Sequence, residues 1–432
     1  MKNLKSVSVQ VIDSDIALLL PNGVYEIKQM EPKSSRLRRI VFFCVALALF
    51  GIVGFGYFCP DKVCALSNKE ASISLEDSLG KPLSQSNSKI GLSYDEMLND
   101  DFSFDMDSHD VMVFLHMQKT GGTSFGKHLV HDLDLKRPCT CPLSRKRCYC
   151  FRPHSNQSWL FSRYTTGWKC GLHADWTELT SCVDEKLDEL EGSVVKRRYF
   201  YITLLREPVA RYLSEFRHVQ RGATWKGSRH HCRGRPATED EVPPCYVGQD
   251  WEGVALDEFI DCDSNLAINR QTRMLADLEL VGCYDKRYMS KADRERTMLI
   301  SAKKNLESMA FFGLTEYQKM SQYIFEETFN LRFAVPFEQN NATVSSSTMP
   351  TLTATQAAKI AALNNLDIEL YKFAKELLFK RFDKLRARDG DFDKRYRHLG
   401  ELTVKSGVTE FDWDRSFMSV QSSHRWSKFC LN

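Results

Sequence analysis

An α/β domain built on a central parallel β-sheet flanked by helices, held behind a single N-terminal transmembrane helix, is the architecture this sequence predicts. Three stretches carry the expectation. Val111–Leu115 is an apolar run that passes through a glycine-bearing loop into a helix-permissive segment from Thr123 to Val130, the sequence form of a buried strand followed by a helix. Tyr199–Leu205 repeats the pattern, with Arg206 at its carboxyl end and Pro208 at a natural first-turn position of the next helix. Ile40–Phe58 is an unbroken run of 19 residues without a charge.

In chain order, Met1–Arg39 is a cytosolic tail and residues 40–58 are the anchor. At a helical rise of about 1.5 Å per residue the run nearly crosses a hydrocarbon core of roughly 30 Å. Lys33, Arg36, Arg38 and Arg39 precede it, while Asp61 and Lys62 nearly cancel behind it, so the N-terminus is expected in the cytosol and the bulk of the chain in a lumen or outside the cell. A cleaved signal peptide is the alternative. Against it, both the leading segment and the apolar run exceed what such peptides use. Residues 59–107 form a serine-rich, acidic stem without sustained periodicity. The folded domain spans 108–382, closing on a long helix over 353–381 whose apolar face repeats through Ile360, Leu363, Leu366, Leu370, Phe373 and Leu377. Residues 383–432 are dense in charge and are expected to lack order.

Length and composition allow one large core: the chain has 432 residues, of which 43% are hydrophobic. A net charge of +3 is too small to imply a nucleic-acid partner. Ten of the 14 cysteines lie between Cys139 and Cys283, as disulfides in an oxidising lumen would require. The spacing of Cys139, Cys141, Cys148 and Cys150, with His230, His231 and Cys232 further on, offers zinc as the competing reading. Asn156 and Asn341 begin N-glycosylation sequons.

The loop after the first strand is where chemistry is expected. Gly121 and Gly122 let the backbone turn, the first amides of the following helix face an anion, and Lys119 adds a point charge. Lysine precedes both glycines here, unlike in the Walker A order, which disfavours an ordinary ATP site. The plain alternative is a strand-to-helix turn with a surface lysine. If the strands at 111–115 and 199–205 are neighbours, their carboxyl ends share one crevice. A ligand with phosphates at both ends could then touch Lys119 at one end and Arg206 with Ser214 at the other. Two basic stretches, 136–152 and 217–235, contain six Lys or Arg each and no carboxylate, which points to a polyanionic partner. In a secretory lumen that partner is a sulfated or carboxylated glycan rather than nucleic acid.

The blocks HMQKTGGTSFGKHLV, WLFSRYTTGWKCGLHADWTEL, YFYITLLREPVARYLSEFRHVQRGATW, LAINRQTRMLADL and SAKKNLESMAFFGLTEYQ together closely resemble heparan sulfate 6-O-sulfotransferases, from about Asp110 to Phe382. The resemblance implies a P-loop-like sulfotransferase fold in a type II Golgi membrane protein with a lumenal catalytic domain. It implies 3'-phosphoadenosine 5'-phosphosulfate (PAPS) as donor, no metal, and the 6-hydroxyl of glucosamine in heparan sulfate as acceptor. By the same resemblance His116, Met117, Gln118, Lys119, Thr120, Gly121, Gly122, Thr123 and Ser124 form the 5'-phosphosulfate loop, with Lys119 stabilising the leaving oxygen. Arg206 and Ser214 would hold the 3'-phosphate. In a donor-covering loop Gln339 and Thr343 would contribute, although an arginine of the family is replaced near Val344.

Transfer to a hydroxyl needs a base, and imidazole titrates in the useful range. The residues alone leave His116, His128, His173 and His218 open; the resemblance selects His173. It also implies that Lys146, Arg147, Arg163, Trp168, His218 and Trp225 contact the glycan. Cations pair with sulfates, and indoles pack on the apolar face of a sugar. Three other classes stand beside this reading. A metal-dependent glycosyltransferase would use Asp261 and Asp263 as an acid pair, a sulfotransferase could act at another glycan position, and a noncatalytic membrane protein could simply bind heparin.

Overall fold

A computed structural model of the chain describes residues 104–142, 147–337 and 352–401. Four strands form its sheet: β1 (Asp110–Leu115), β2 (Leu160–Phe161), β3 (Arg198–Leu205) and β4 (Phe311–Leu314). They lie in the order β2-β1-β3-β4, and every pairing is parallel. The two strands read from sequence are therefore direct neighbours, with Val113 opposite Tyr201 and Leu115 opposite Thr203. Parallel strands need helices over both faces, which is why β1 and β4 are buried along their whole length and β3 beyond Arg198. The chain leaves β1 towards β2 on one side and later enters β3 on the other. That reversal opens a crevice at the carboxyl ends of β1 and β3, the usual ligand site of an open α/β sheet.

Helix α1 (Gly122–His131) follows β1, α2 (Trp176–Glu191) leads to β3, and α3 (Pro208–Gln220) follows β3 with proline in its first turn. Two short helices, α4 (Leu256–Asp261) and α5 (Arg270–Leu275), precede α6 (Lys291–Ser308), and α7 (Gln318–Phe329) follows β4. A phenylalanine cluster joins α1, β4 and α7, with Phe125 5.9 Å from both Phe311 and Phe325, and 5.2 Å from Phe337.

The single helix expected over 353–381 is two: α8 (Ala354–Leu363) and α9 (Asn365–Arg388). Asn364 breaks it because its side chain donates to the Ile360 carbonyl at 2.9 Å while its own carboxamide oxygen accepts from the Asn269 amide. The buried stripe of α9 runs through Leu366, Leu370, Ala374 and Leu378, with Phe373 and Leu377 on its margin. The boundary expected at residue 382 is also displaced. Helix α9 continues to Arg388 and α10 (Phe392–Glu401) follows, folding Phe382, Phe392 and Tyr396 around Tyr323 at 5.6, 5.2 and 5.8 Å. Charge density hid these residues in the sequence because only one face of α10 carries the aromatic rings.

Ten cysteines pair as Cys139–Cys150, Cys141–Cys148, Cys170–Cys182, Cys232–Cys283 and Cys245–Cys262. The sulfurs of the zinc reading are thereby engaged in disulfides. Among the described residues no helix is long and apolar enough to cross a membrane; the anchor at 40–58, nearly all of the stem and the stretch 402–432 lie outside them.

Candidate active site

The loop between β1 and α1 is held in an unusual backbone path. Lys119 has φ 67° and Gly121 φ 83°, both in the left-handed region, and Gly121 is the N-cap of α1 without any side chain capping the helix. No side chain thus takes up the first amides of α1, the arrangement that suits an anion. Gly122 has a second reason to be glycine: a Cβ there would lie 2.2 Å from His116 Cδ2. His116, Met117, Gln118 and Thr120 are buried, so the loop offers chiefly its backbone, while Lys119, Thr123 and Ser124 are partly exposed.

Arg206 reaches this loop from the end of β3, its Nη1 donating to the Lys119 carbonyl at 3.2 Å. Its backbone is clamped by the Gln271 carboxamide, which accepts from Arg206 N and donates to Arg206 O, both at 2.9 Å. The Thr315 hydroxyl lies 2.7 Å from Thr120 O and 2.9 Å from Leu205 O, tying the ends of β3 and β4 to the loop. Ser214 is buried on α3, about two turns beyond Arg206. An adjoining cleft is lined by Thr120, Ser124, His128, Thr315, Gln318 and Phe337. Gln271, Thr315 and Phe337 were not singled out in the sequence, although Gln271 and Thr315 fall inside the blocks NRQTRML and GLTEYQ.

His173 arrives from the long excursion after β2. The Cys170–Cys182 disulfide ties this segment to α2, and Asp175, two residues on, caps α2 in a reciprocal capping box with Glu178. His173 Nδ1 lies 3.0 Å from the His116 carbonyl oxygen. A carbonyl only accepts, so Nδ1 carries the proton and Nε2 keeps its lone pair. The rings of His173 and His116 are 4.7 Å apart. Burial pushes the His173 imidazole down to about 3; the His116 hydrogen bond opposes this, and the charges of Arg163 and Arg270 add to it. His116 is lowered well below its ordinary value by burial first, then by His173, Arg163 and Lys119.

Around His173 stand several of the expected glycan contacts. Trp225 meets it edge-on at 5.3 Å and 85°, and His218 on α3 lies 5.7 Å from the same indole. Arg163 donates to Thr123 Oγ1 at 3.2 Å, bridging the segment after β2 to the start of α1. Trp168 is exposed on a 3-10 turn at Gly167–Lys169, and Arg147 is exposed beside Cys148. Lys146, Gln339, Thr343 and the sequon at Asn341 lie outside the described residues, whereas Asn156 is exposed in a turn. Of the four candidate histidines, His116, His173 and His218 gather here. His128 faces the adjoining cleft, paired with Asp132 at 2.7 Å. Asp261 and Asp263 flank the disulfide-bonded Cys262 at the exposed end of α4, and Asp261 pairs with Lys359 at 3.2 Å.

Comparison with known proteins agrees in extent with this architecture. The sulfotransferase family matches residues 102–374. The chain is 46% identical to heparan-sulfate 6-O-sulfotransferase 2 of Homo sapiens over 386 residues, covering 88% of this chain and 63% of that protein, so it spans under two thirds of that relative's length. It is 46% identical to heparan-sulfate 6-O-sulfotransferase 2 of Gallus gallus, covering 87% of this chain and 97% of that one. Heparan-sulfate 6-O-sulfotransferase 1 of Homo sapiens is 55% identical over 65% of this chain and 68% of its own length.

Proposed function

The chain belongs to the sulfotransferase family and, within it, to the heparan-sulfate 6-O-sulfotransferases, and from that membership we propose that it transfers the sulfuryl group of PAPS to the 6-hydroxyl of N-sulfoglucosamine in heparan sulfate. The cradle fits such a donor. Its glycine turn leaves helix amides facing the crevice, and Lys119 and Arg206 bring two cations to the neighbouring ends of β1 and β3. When bound, the donor supplies the sulfuryl group and an anionic leaving nucleotide. The protein's part is to hold both ends: the loop amides and Lys119 at the phosphosulfate, Arg206 and Ser214 at the 3'-phosphate, with Gln339 and Thr343 contributing from the covering segment.

His173 is the proposed base. The observation that carries this is its Nδ1 contact with the His116 carbonyl, 3.0 Å, which leaves Nε2 as the proton acceptor beside the phosphosulfate loop. Because the acceptor hydroxyl must lose a proton as the sulfur changes partners, a neutral imidazole of fixed tautomer is suited to take it. Arg163, Trp168, His218 and Trp225, together with Lys146 and Arg147, would grip the polyanionic glycan. We further place the enzyme in the Golgi membrane as a single-pass type II protein through residues 40–58, needing no metal.

The test is transfer of radiolabelled sulfate from PAPS to O-desulfated, N-sulfated heparan by the lumenal part of the chain, followed by disaccharide analysis. Label on the glucosamine 6-hydroxyl, undiminished by chelator, is expected. Label at another position would overturn the acceptor assignment, and dependence on added metal would overturn metal independence. His173→Ala is expected to lower turnover by about 100-fold or more while donor binding measured by calorimetry stays near that of the unaltered enzyme. Near-normal turnover would remove His173 as the base.

A further inference from the structure

Glu215 has no part in the chemistry above, yet it stands directly behind it. The side chain is 1% exposed on α3, one turn before His218. Arg270 of α5 binds both its oxygens, Nε to Oε2 at 2.8 Å and Nη2 to Oε1, and Arg211 donates to Oε2. Burial by itself would raise this carboxyl; Arg270 and Arg211 hold it down at about 2. With Asp367, 4.0 Å from Arg211, the cluster has two buried cations and two buried anions, so Glu215 is needed as an anion for neutrality.

Neutrality does not require Glu215 to reach out of the core, and it does. Oε1 also accepts from Trp225 Nε1 at 3.1 Å. Trp225 lies on the loop after α3, only partly buried, and its ring stands edge-on to His173 with His218 at its other flank. A loop indole has several rotamers; the charge-assisted hydrogen bond from Glu215 selects one.

We propose that Glu215 is a positioning residue for sulfuryl transfer: it fixes the Trp225 indole against His173 and so sets the wall on which the acceptor sugar packs beside the base. This rests on the sulfotransferase reading of the site. The donor side has its own support, since Gln271, next in the chain to Arg270, clamps the Arg206 backbone. A change passing only through Trp225 is felt by the acceptor, whereas a wider loosening of the cluster would also shift the donor Kd through Gln271 and the neighbouring Ser214.

The experiment measures the KM for O-desulfated, N-sulfated heparan, the donor Kd and the folded fraction for the unaltered chain, Glu215→Gln, Trp225→Phe and the double variant. Glu215→Gln is expected to raise the acceptor KM by about tenfold with donor Kd unchanged, the scale set by a charge-assisted bond. In the Trp225→Phe background the same change should add less than about twofold, because its effect passes through the indole N–H. An unchanged KM, with turnover falling only in proportion to folded protein, would mean that Glu215 is merely structural and overturn the proposal. So would full additivity of the two substitutions. Should Glu215→Gln fail to fold, hydrogen exchange of the Trp225 indole N–H in the unaltered chain decides: protection supports the anchor, and exchange as fast as an exposed indole overturns it. Absence of sulfate transfer by the unaltered chain would overturn the enzymatic reading and this proposal together, whereas the KM and additivity outcomes overturn this proposal alone.

Discussion

Gly122 shows how tightly the site is packed at the scale of single residues. An alanine Cβ there would fall 2.2 Å from His116 Cδ2 and 3.1 Å from Phe114, so the His116 ring must move, and that ring rests against His173. Gly122→Ala is expected to destabilise the fold by about 1–3 kcal/mol, as overpacking does, and to lower turnover by about tenfold or more. Gly227→Ala, where an added Cβ meets nothing within 4 Å, is the neutral control for melting temperature and rate. The His173 environment makes a second expectation. Its imidazole is lowered to about 3 by burial, so the free protein keeps this proposed base neutral far below the ordinary histidine value of 6.5. The acid limb of kcat/KM should therefore lie well below pH 6.5, and a limb centred at 6.5 would contradict the burial of the base. The meeting of Lys119, Arg206 and the glycine loop at the neighbouring ends of β1 and β3 was legible because residue type and strand-end position announce it. Glu215, Gln271 and Thr315 were not, because their partners lie far away in sequence and are met only in the folded chain.

At the scale of elements, the cap of α2, two residues after the proposed base His173, carries a pH dependence. Asp175 Oδ1 accepts from the Glu178 amide and Glu178 Oε2 accepts from the Asp175 amide, each at 3.0 Å, and both side chains are buried. Burial, then the charge of Glu178, raises Asp175 to about 8, and burial likewise raises Glu178. A carboxyl with a raised folded-state pKa binds its proton more tightly folded than unfolded. Its stabilising contribution is thus complete below the ordinary carboxylate value of 3.8 and is lost as pH rises towards about 8. Asp175→Asn keeps a competent cap and removes the titration, so the decline in unfolding free energy between about pH 5 and about pH 8 should flatten. Denaturant unfolding at both values measures it, and an unchanged slope would assign the decline to other groups. Caps, strands and the proline start of α3 could be read locally. The break at Asn364 could not, since the partner that accommodates it, Asn269, is supplied by a distant loop.

Across the whole molecule, the last two helices close the domain. Phe382, Phe392 and Tyr396 pack on Tyr323 of α7, whose hydroxyl donates to Asp389 at 2.8 Å, and Leu385 and Leu399 are buried with them. A chain ended at Phe382 should be less stable than one ended at Glu401 by about 4 kcal/mol or more, the burial of two or three large side chains. Equal melting temperatures would show that α10 adds nothing. The sequence by itself determined the parallel α/β class, the phosphate-loop strand and helix, the second strand with its arginine, and the disulfide chemistry, because each is written in residues close together in the chain. Only the tertiary structure decided the sheet order, the five cysteine pairs, the tautomer of His173 and the Glu215–Trp225 anchor. These depend on which distant side chains are brought within a few ångströms of one another, and local periodicity has no access to that distance.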